Sequence, residues 1–417
     1  MRILIISNYY PPFEMGGWGQ LTRDVARRLA RRGHSIHILT SKHRADQLAD
    51  SESSITRMLN LESPDHIQYH PHYTLLRRWW EHQNKQLLAG LLAEFGPEVI
   101  FVNGMWNLPH SVASGAEQLC PGRVVYYMAS TWPTDTDAHS SYWLDDNGDS
   151  WRRRMKRRAG RLVGRTLLPN GRRSDLDFRL VLCVSDYVQD HLIEHGGLDR
   201  AQTRVVHNGI DLTSFPKRNP NGNGKTLRFL YAGRLSPDKG VHTAVEGFKH
   251  ALKAHPEFGA TLSIVGAGAP AYEAQLKQSA SALVDGGNVV FRGWVPYEQM
   301  PGLLYEHDVL LFPSIWQEPL ARMVQEAMAS GLVVVSTTTG GTPEILQDGQ
   351  NGLTFEAGDA AMLAQKIVQL VREPALRPRL ARAARQTVEE HFTLDRMVDE
   401  VEFYLNSVCE GQETILV

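Results

Sequence analysis

The chain has 417 residues, of which 42% are hydrophobic and 8% aromatic, with Lys+Arg 44 set against Asp+Glu 46. At roughly 100–200 residues per domain, this length predicts two or three domains with cores of their own and excludes a disordered chain or a disulfide-stapled mini-domain. The near balance of charge selects no nucleic acid through a global field, so any basic character has to be local to a segment.

The opening run Ile3 to Ile6 is too short for the apolar core of a signal peptide and reads as a first strand. A glycine-containing loop follows, then Leu21, Val25, Leu29 and Ala30 at helical spacing, with Gly33 placed as a C-terminal cap and Ile36 to Leu39 as the next strand. That is a βαβ unit. Short buried-strand patterns recur at Val99 to Val102, Val124 to Met128 and Leu180 to Val184. The stretch Phe215 to Lys225 concentrates Pro, Gly, Asn and charge, with too little apolar surface to bury, and is the expected linker. The rhythm then restarts. Strands are expected at Phe229 to Ala232, Leu262 to Val265, Val289 to Phe291, Val309 to Phe312 and Val333 to Ser336, with a helix over Val241 to Ala254.

The expected fold is therefore α/β, with two Rossmann-like domains of mostly parallel sheet facing a cleft, since ligands bind such sheets at the carboxyl ends of the strands. The expected boundaries are 1–213, 214–391 and a terminal segment 392–417, where Phe392, Leu394, Met397, Val401, Tyr404, Leu405 and Val408 pattern an amphipathic helix. Cys120, Cys183 and Cys409 are odd in number and lack the spacing of a zinc site or a disulfide framework, which fits a reducing cytoplasm. No apolar run approaches the roughly 18 residues a membrane span needs.

Chemistry concentrates in residues 313–344. Glu318 and Glu326 stand with seven residues between them, and a helix N-terminus is expected in the interval, followed by Gly340-Gly341-Thr342-Pro343-Glu344. Carboxylates there suit hydroxyl groups, and backbone N–H groups suit an anion. A sugar nucleotide has both. The stretch Gly233 to Gly240 carries Arg234 and Lys239 five apart on a loop after a strand, a spacing that can clamp a diphosphate and neutralise charge as a sugar leaves. These cations can do the electrostatic work, and Asp238 alone makes no ligand set, so no metal is expected. Near the start, Gly16 and Gly17 follow the first strand and precede its helix, where glycine lets the backbone approach a ligand.

The Glu-x7-Glu stretch, its Glu-Ala-Met-Ala-x-Gly continuation and the following Gly-Gly-x-x-Glu resemble the retaining glycosyltransferases of family 4, which have the GT-B architecture. The resemblance implies that Glu318 contacts the donor sugar and Glu326 the ribose hydroxyls of a nucleotide. It also implies that the backbone of Pro319, Leu320 and Ala321 lies near the sugar and phosphates. Arg234 and Lys239 inherit the diphosphate, and Gly16 and Gly17 the region of donor phosphate and acceptor. Weaker matches are Val184 to Val188, His207 to Asp211, and Val265 to Gly268, where Gly266 and Gly268 read equally as donor-loop or as simple turn glycines. The family fold implies that the terminal helix packs on the first domain. No cofactor is expected beyond the substrate itself, a UDP- or GDP-linked sugar.

One departure stands out. The family places a histidine after the strand that here reads Val124 to Met128, but this chain continues Ala129-Ser130-Thr131-Trp132-Pro133. Asp135, Asp137 and His139 lie further on and take no role by motif. Retaining transfer by front-face departure and attack needs positioning and charge stabilisation rather than that group. Separately, residues 151–165 open WRRRMKRRAG, a basic amphipathic stripe that suits an anionic membrane surface or an acidic acceptor, a solvated salt-bridged helix being the other reading. A sugar-nucleotide epimerase and a non-catalytic sugar-nucleotide binder are the rival functions. Donor base, sugar, acceptor and linkage are not legible, and the enzyme is expected in the cytoplasm, with peripheral contact at the inner membrane face the alternative.

Overall fold

The computed structural model describes residues 1–13, 17–48, 52–63, 70, 72–134, 142, 151, 154–160, 176–217, 226–257 and 259–411. The chain divides into two compact units. The first comprises Met1–Val184, Val188–Val206 and the chain from Val398 onward; the second comprises Ser185–Tyr187 and His207–Met397.

The first unit is built on a seven-stranded sheet of order β3-β2-β1-β4-β5-β6-β7. Its strands are β1 (Arg2–Ser7), β2 (Ser35–Ser41), β3 (Ile55–Leu59), β4 (Val99–Asn103), β5 (Val124–Met128), β6 (Leu180–Cys183) and β7 (Thr203–Val205). Every pairing is parallel. Strands β1, β4 and β5 are apolar along their length because helices cover both faces of a parallel sheet, which leaves no solvent side for polar alternation. The second unit repeats the plan with six strands in the order β10-β9-β8-β11-β12-β13. These are β8 (Thr226–Ala232), β9 (Gly259–Val265), β10 (Val289–Gly293), β11 (Val309–Phe312), β12 (Val333–Thr337) and β13 (Leu353–Phe355), again all parallel. In its core Phe229 meets Phe248 edge-on at 5.5 Å.

Sheet topology decides where a ligand goes. In the second unit the strand order reverses between β8 and β11, and a crevice opens outside the carboxyl ends of strands at such a switch. The loops leaving those two strands are Gly233 to Gly240 and Pro313 to Ala321. In the first unit the same reversal falls between β1 and β4.

The short edge strands β3, β7 and β13 and the long helix Tyr73–Phe95 carry no clear sequence signal. β7 and β13 are three residues each, too short for a periodicity. In the helix, Glu81 and Asn84 are buried while Leu75 and Trp79 are exposed, so its apolar stripe is broken. The expected linker needs a correction at its start. Phe215 is only 2% exposed and belongs to the packed interior of the second unit, where Arg385 Nη1 donates to its carbonyl at 2.9 Å. Residues 218–225 of that stretch lie outside the described residues.

The terminal helix Leu394–Cys409 starts in the second unit and from Val398 belongs to the first, where Glu402 accepts from Arg32 at 2.5 Å and lies 2.6 Å from His34 Nε2. Its Val398, Val401 and Leu405 are fully buried. Among the described residues, no helix is long and apolar enough to cross a membrane.

Candidate active site

The crevice of the second unit is assembled by backbone before any side chain reaches into it. Gly240 has φ +66°, and a Cβ there would run into the Pro313 carbonyl oxygen, so only glycine lets the turn Pro237–Lys239 lie against the loop after β11. The Asp238 carbonyl then accepts from Ile315 N at 2.8 Å and Trp316 N at 3.0 Å, which locks the two loops in register. Gly266 and Gly268 serve the same end: added side chains would strike the carbonyls of Gly233 and Leu235, so these glycines set the β9 loop against the loop that carries Arg234. Gly341 N donates to the Glu318 carbonyl at 2.8 Å, and Gln317 Oε1 accepts from Gly340 N at 2.7 Å. The loops after β8 and β12 thus hold the Glu318 segment, and the β9 loop braces the first of them.

Within this frame Lys239 Nζ lies 2.6 Å from Glu318 Oε1 and 4.4 Å from the centre of the Trp316 ring. The Ser314 hydroxyl donates to the same carboxylate oxygen at 2.6 Å. The side chains of Lys239 and Glu318 are 18% and 9% exposed, so both charges are largely desolvated. A buried pair of this kind is weak evidence of stability, because the cost of removing two charges from water offsets most of their attraction. It is good evidence of a held geometry: one cation and one carboxylate beside each other at a crevice, each fixed by a second contact.

Arg234 is placed differently. Its side chain is 62% exposed and pairs with Asp238 at 3.1 Å on its own turn, while its carbonyl accepts from the Tyr231 hydroxyl at 2.8 Å. Burial raises the Tyr231 pKa above the ordinary tyrosine range, so that hydroxyl remains a donor. The Arg234 guanidinium thus lies on the loop that carries Lys239, with a wide sweep in solvent. Glu326 sits on the helix Arg322–Ser330, which begins at Arg322 with Ala321 as its cap residue and no capping side chain. It is 2% exposed and bonded to Tyr297 and Arg322, at 2.9 Å each. Leu320 and Ala321 are buried, and the Pro319 carbonyl backs onto Gly341. The structure therefore brings Lys239 and Glu318 into contact, sets Arg234 on the neighbouring backbone, and holds Glu326 in a separate polar group on the helix.

Sequence reasoning missed Ser314, Trp316, Tyr297 and Arg322. Arg322 is four residues before Glu326 on one helix, a spacing that was available. Tyr297 arrives from a different turn, and no local pattern announces it.

In the first unit Gly17 is the cap residue of the helix Trp18–Arg31, whose Trp18 stacks on Tyr127 at 5.6 Å. Gly16 lies outside the described residues, as do Asp135, Asp137 and His139. In the stretch after β5, where the resemblance leads one to expect a histidine, Trp132 is buried, with His110 edge-on at 4.8 Å. Asp186, Tyr187 and His207 meet Glu344 within the second unit. Glu344 accepts from Asp186 N at 2.9 Å and Tyr187 N at 3.0 Å, and His207 Nε2 is 2.8 Å from its carboxylate. Among the described residues Asp186, His207 and Glu344 also form a three-residue group with potential metal-ligand atoms within 4.8 Å of one another. Glu344 is already committed there as the acceptor for a helix start.

The model of Glycosyltransferase Family 4 matches residues 15–214, and that of Glycosyl transferases group 1 matches residues 214–387. The putative glycosyltransferase YtcC of Bacillus subtilis is 28% identical over 249 residues, 55% of this chain and 60% of that protein. Glycogen synthase of Mycobacterium tuberculosis is 27% identical over 406 residues, 94% of this chain and 91% of its own. In three dimensions HepE of Anabaena, solved in complex with UDP and glucose, aligns with a TM-score of 0.68 at 20% identity, over 98% of this chain and 100% of that one. With one family model on each half and a fold shared from end to end, the chain belongs to the family 4 glycosyltransferases of GT-B architecture.

Proposed function

We propose that this glycosyltransferase moves a sugar from a UDP- or GDP-linked donor to an acceptor hydroxyl, with retention of the anomeric configuration, in the biosynthesis of a glycan or glycoconjugate. The observation that carries the reading is the contact of Lys239 with Glu318 at the switch point of the second sheet. The anionic part of a donor suits Lys239, with Arg234 able to swing onto the same diphosphate, and the sugar hydroxyls suit Glu318. As the bond from the anomeric carbon to the diphosphate oxygen lengthens, negative charge grows on that oxygen, and the fixed ammonium of Lys239 stabilises it. The departing phosphate oxygen takes the acceptor's proton on the same face, so no protein nucleophile is required and the missing histidine is not fatal. The cations carry the electrostatic work, which makes transfer independent of a metal. Glu326 receives the ribose hydroxyls. That HepE was solved with UDP and glucose supports this class of donor.

The test is transfer from UDP- and GDP-sugars to candidate acceptors, read by the anomeric signal of the product with and without a chelator. Inversion of the anomeric centre, or loss of rate with the chelator, removes the corresponding part of the reading. Turnover of the sugar nucleotide to its epimer without acceptor identifies an epimerase instead, and binding without any turnover a sensor.

A second element concerns the membrane. Residues 151 and 154–160 are helical, Trp151 and Met155 are 66% and 61% exposed one turn apart, and Arg154 and Arg158 are exposed beside them. The remainder of 151–165 lies outside the described residues. We assign this segment to peripheral contact with anionic lipid. Equal binding to neutral and anionic vesicles removes that assignment.

A further inference from the structure

Glu326 is held more tightly than a ribose acceptor on a helix needs for folding alone. Arg322 Nε donates to Glu326 Oε1 at 2.9 Å, the Tyr297 hydroxyl donates to the same oxygen at 2.9 Å, and Arg322 Nη2 donates to the Tyr297 oxygen at 2.9 Å. The three groups close a ring. The Arg322 guanidinium also lies 5.6 Å from the centre of the Tyr297 ring. The side chains of Arg322 and Glu326 are 13% and 3% exposed and Tyr297 is half-buried, so the ring is largely shielded from solvent.

Stability does not ask for this arrangement. Arg322 is the first residue of its helix, where a cation meets the positive end of the helix dipole. A base four residues before an acid is the poorer order of that pair on a helix. Both charges are desolvated, which costs most of what their attraction returns. Several local preferences broken at one spot mark a site shaped for geometry. The geometry is a fixed carboxylate. Two donors on one oxygen mean that rotating the carboxyl group strips both bonds at once. Burial and the neighbouring Glu326 raise the Tyr297 pKa above the ordinary tyrosine range, so its hydroxyl donates at every working pH. Tyr297 comes from the short turn Tyr297–Gln299 after β10, so the ring also pins that turn to the helix.

We propose that Tyr297 and Arg322 are positioning residues that hold the Glu326 carboxylate in the rotation that receives the vicinal hydroxyls of ribose, making the site selective for ribonucleoside over dideoxyribonucleoside diphosphates. The proposal rests on the reading of Glu326 as the ribose acceptor.

The experiment compares UDP and GDP with their 2′,3′-dideoxy counterparts by calorimetry on the full chain, in wild type, Tyr297→Phe and Arg322→Lys. Tyr297→Phe keeps the ring and removes one donor. Arg322→Lys keeps the charge and removes the two-pronged fork. Wild type is expected to bind the ribose form of its nucleotide about tenfold or more tightly than the dideoxy form. Each variant is expected to lower that ratio about threefold to tenfold, as for the loss of one hydrogen bond, with dideoxy binding unchanged. A ratio that stays at the wild-type value in both variants overturns the proposal, and so does an equal loss for both nucleotides, which is the mark of structural damage. Wild type that binds ribose and dideoxy forms alike, or binds neither UDP nor GDP, fails the reading of Glu326 itself, and that result is visible before any variant is made.

Discussion

The two units share a topology and differ in what they hang on it. Each has a parallel sheet whose order reverses beside its first strand, between β1 and β4 in one and between β8 and β11 in the other. In the second unit the loops at that point carry Lys239 and Glu318 in contact. In the first, amides and one guanidinium knit the loops: Asn8 Nδ2 donates to the Trp106 carbonyl at 2.8 Å, Asn107 Nδ2 to the Tyr9 hydroxyl at 3.1 Å and the Ser63 carbonyl at 2.9 Å, and Arg57 Nη1 to the Tyr10 carbonyl at 3.0 Å. Topology fixes where a ligand can sit, and loop chemistry fixes which ligand. Under the proposed function, the charged, backbone-locked crevice of the second unit is the one that suits a diphosphate.

The sharpest way to break that contrast is to remove the charge. Lys239→Met is expected to lower transfer from a sugar nucleotide about 100-fold to 1000-fold, the scale of losing one preorganised electrostatic contact. Its melting temperature should fall as well, because the substitution leaves the Glu318 carboxylate, 9% exposed, buried without its cation, a loss of about 3–5 kcal/mol. Initial rates and a melting curve on the same preparation check both halves, and wild-type rates in the variant would move the donor site elsewhere.

Phe215 tests where the second unit begins. Phe215→Ala is expected to destabilise that unit by about 3 kcal/mol, the cost of an emptied aromatic site. Chemical denaturation followed by a probe in the second unit measures it. A cost near zero would return residue 215 to the linker.

Glycine substitutions compare the loops directly. Gly240→Ala forces a Cβ against the backbone carbonyl of Pro313 at a left-handed φ and is expected to cost about 2 kcal/mol while also shifting Lys239. Gly104→Ala in the first unit, at φ +93°, meets the Trp18 ring nitrogen at 2.6 Å and Asn8 Oδ1 at 2.7 Å, and both are held, Trp18 by stacking on Tyr127 and Asn8 by its bonds to Trp106 and Tyr9. A similar cost, about 2 kcal/mol, is expected there. A much smaller loss at Gly104 than at Gly240 in paired melting curves would mean that the first crevice is the softer one.

The contrast also explains what the sequence made legible. Strands Val124–Met128 and Val309–Phe312 and the helix Val241–Ala254 stand where their apolar periodicity puts them, because burial on both faces leaves an unbroken apolar signature. Lys239 and Glu318 are 79 residues apart, and their meeting is not a local property; what the sequence carries is two loops after two strands, and the reversal of strand order joins them. Tyr297 was invisible for the same reason without a motif to flag it. The composition of residues 215–225 predicts a linker, yet the aromatic residue at its edge is 2% exposed and already belongs to a core.

The smallest effect concerns pH. His307 in the second unit is 3% exposed, with Nδ1 2.7 Å from the Leu303 carbonyl, which fixes the proton on Nδ1 as donor. Burial pushes its pKa below the ordinary histidine value. His37 in the first unit is shifted the same way by burial but is less enclosed. A base whose folded pKa is depressed binds its proton first in the unfolded chain, so stability is full above the unfolded value of about 6.5 and falls as pH drops through it. The fall stops once the folded pKa is passed. His307→Asn keeps a donor at the position of Nδ1 and does not titrate. It is expected to flatten the loss of stability between about pH 7.5 and pH 5.5, and His37→Asn to flatten it less. Denaturation midpoints across that range decide the order, and a steeper profile in His307→Asn than in wild type would mean that the buried imidazole is not the group whose protonation the unfolded chain favours.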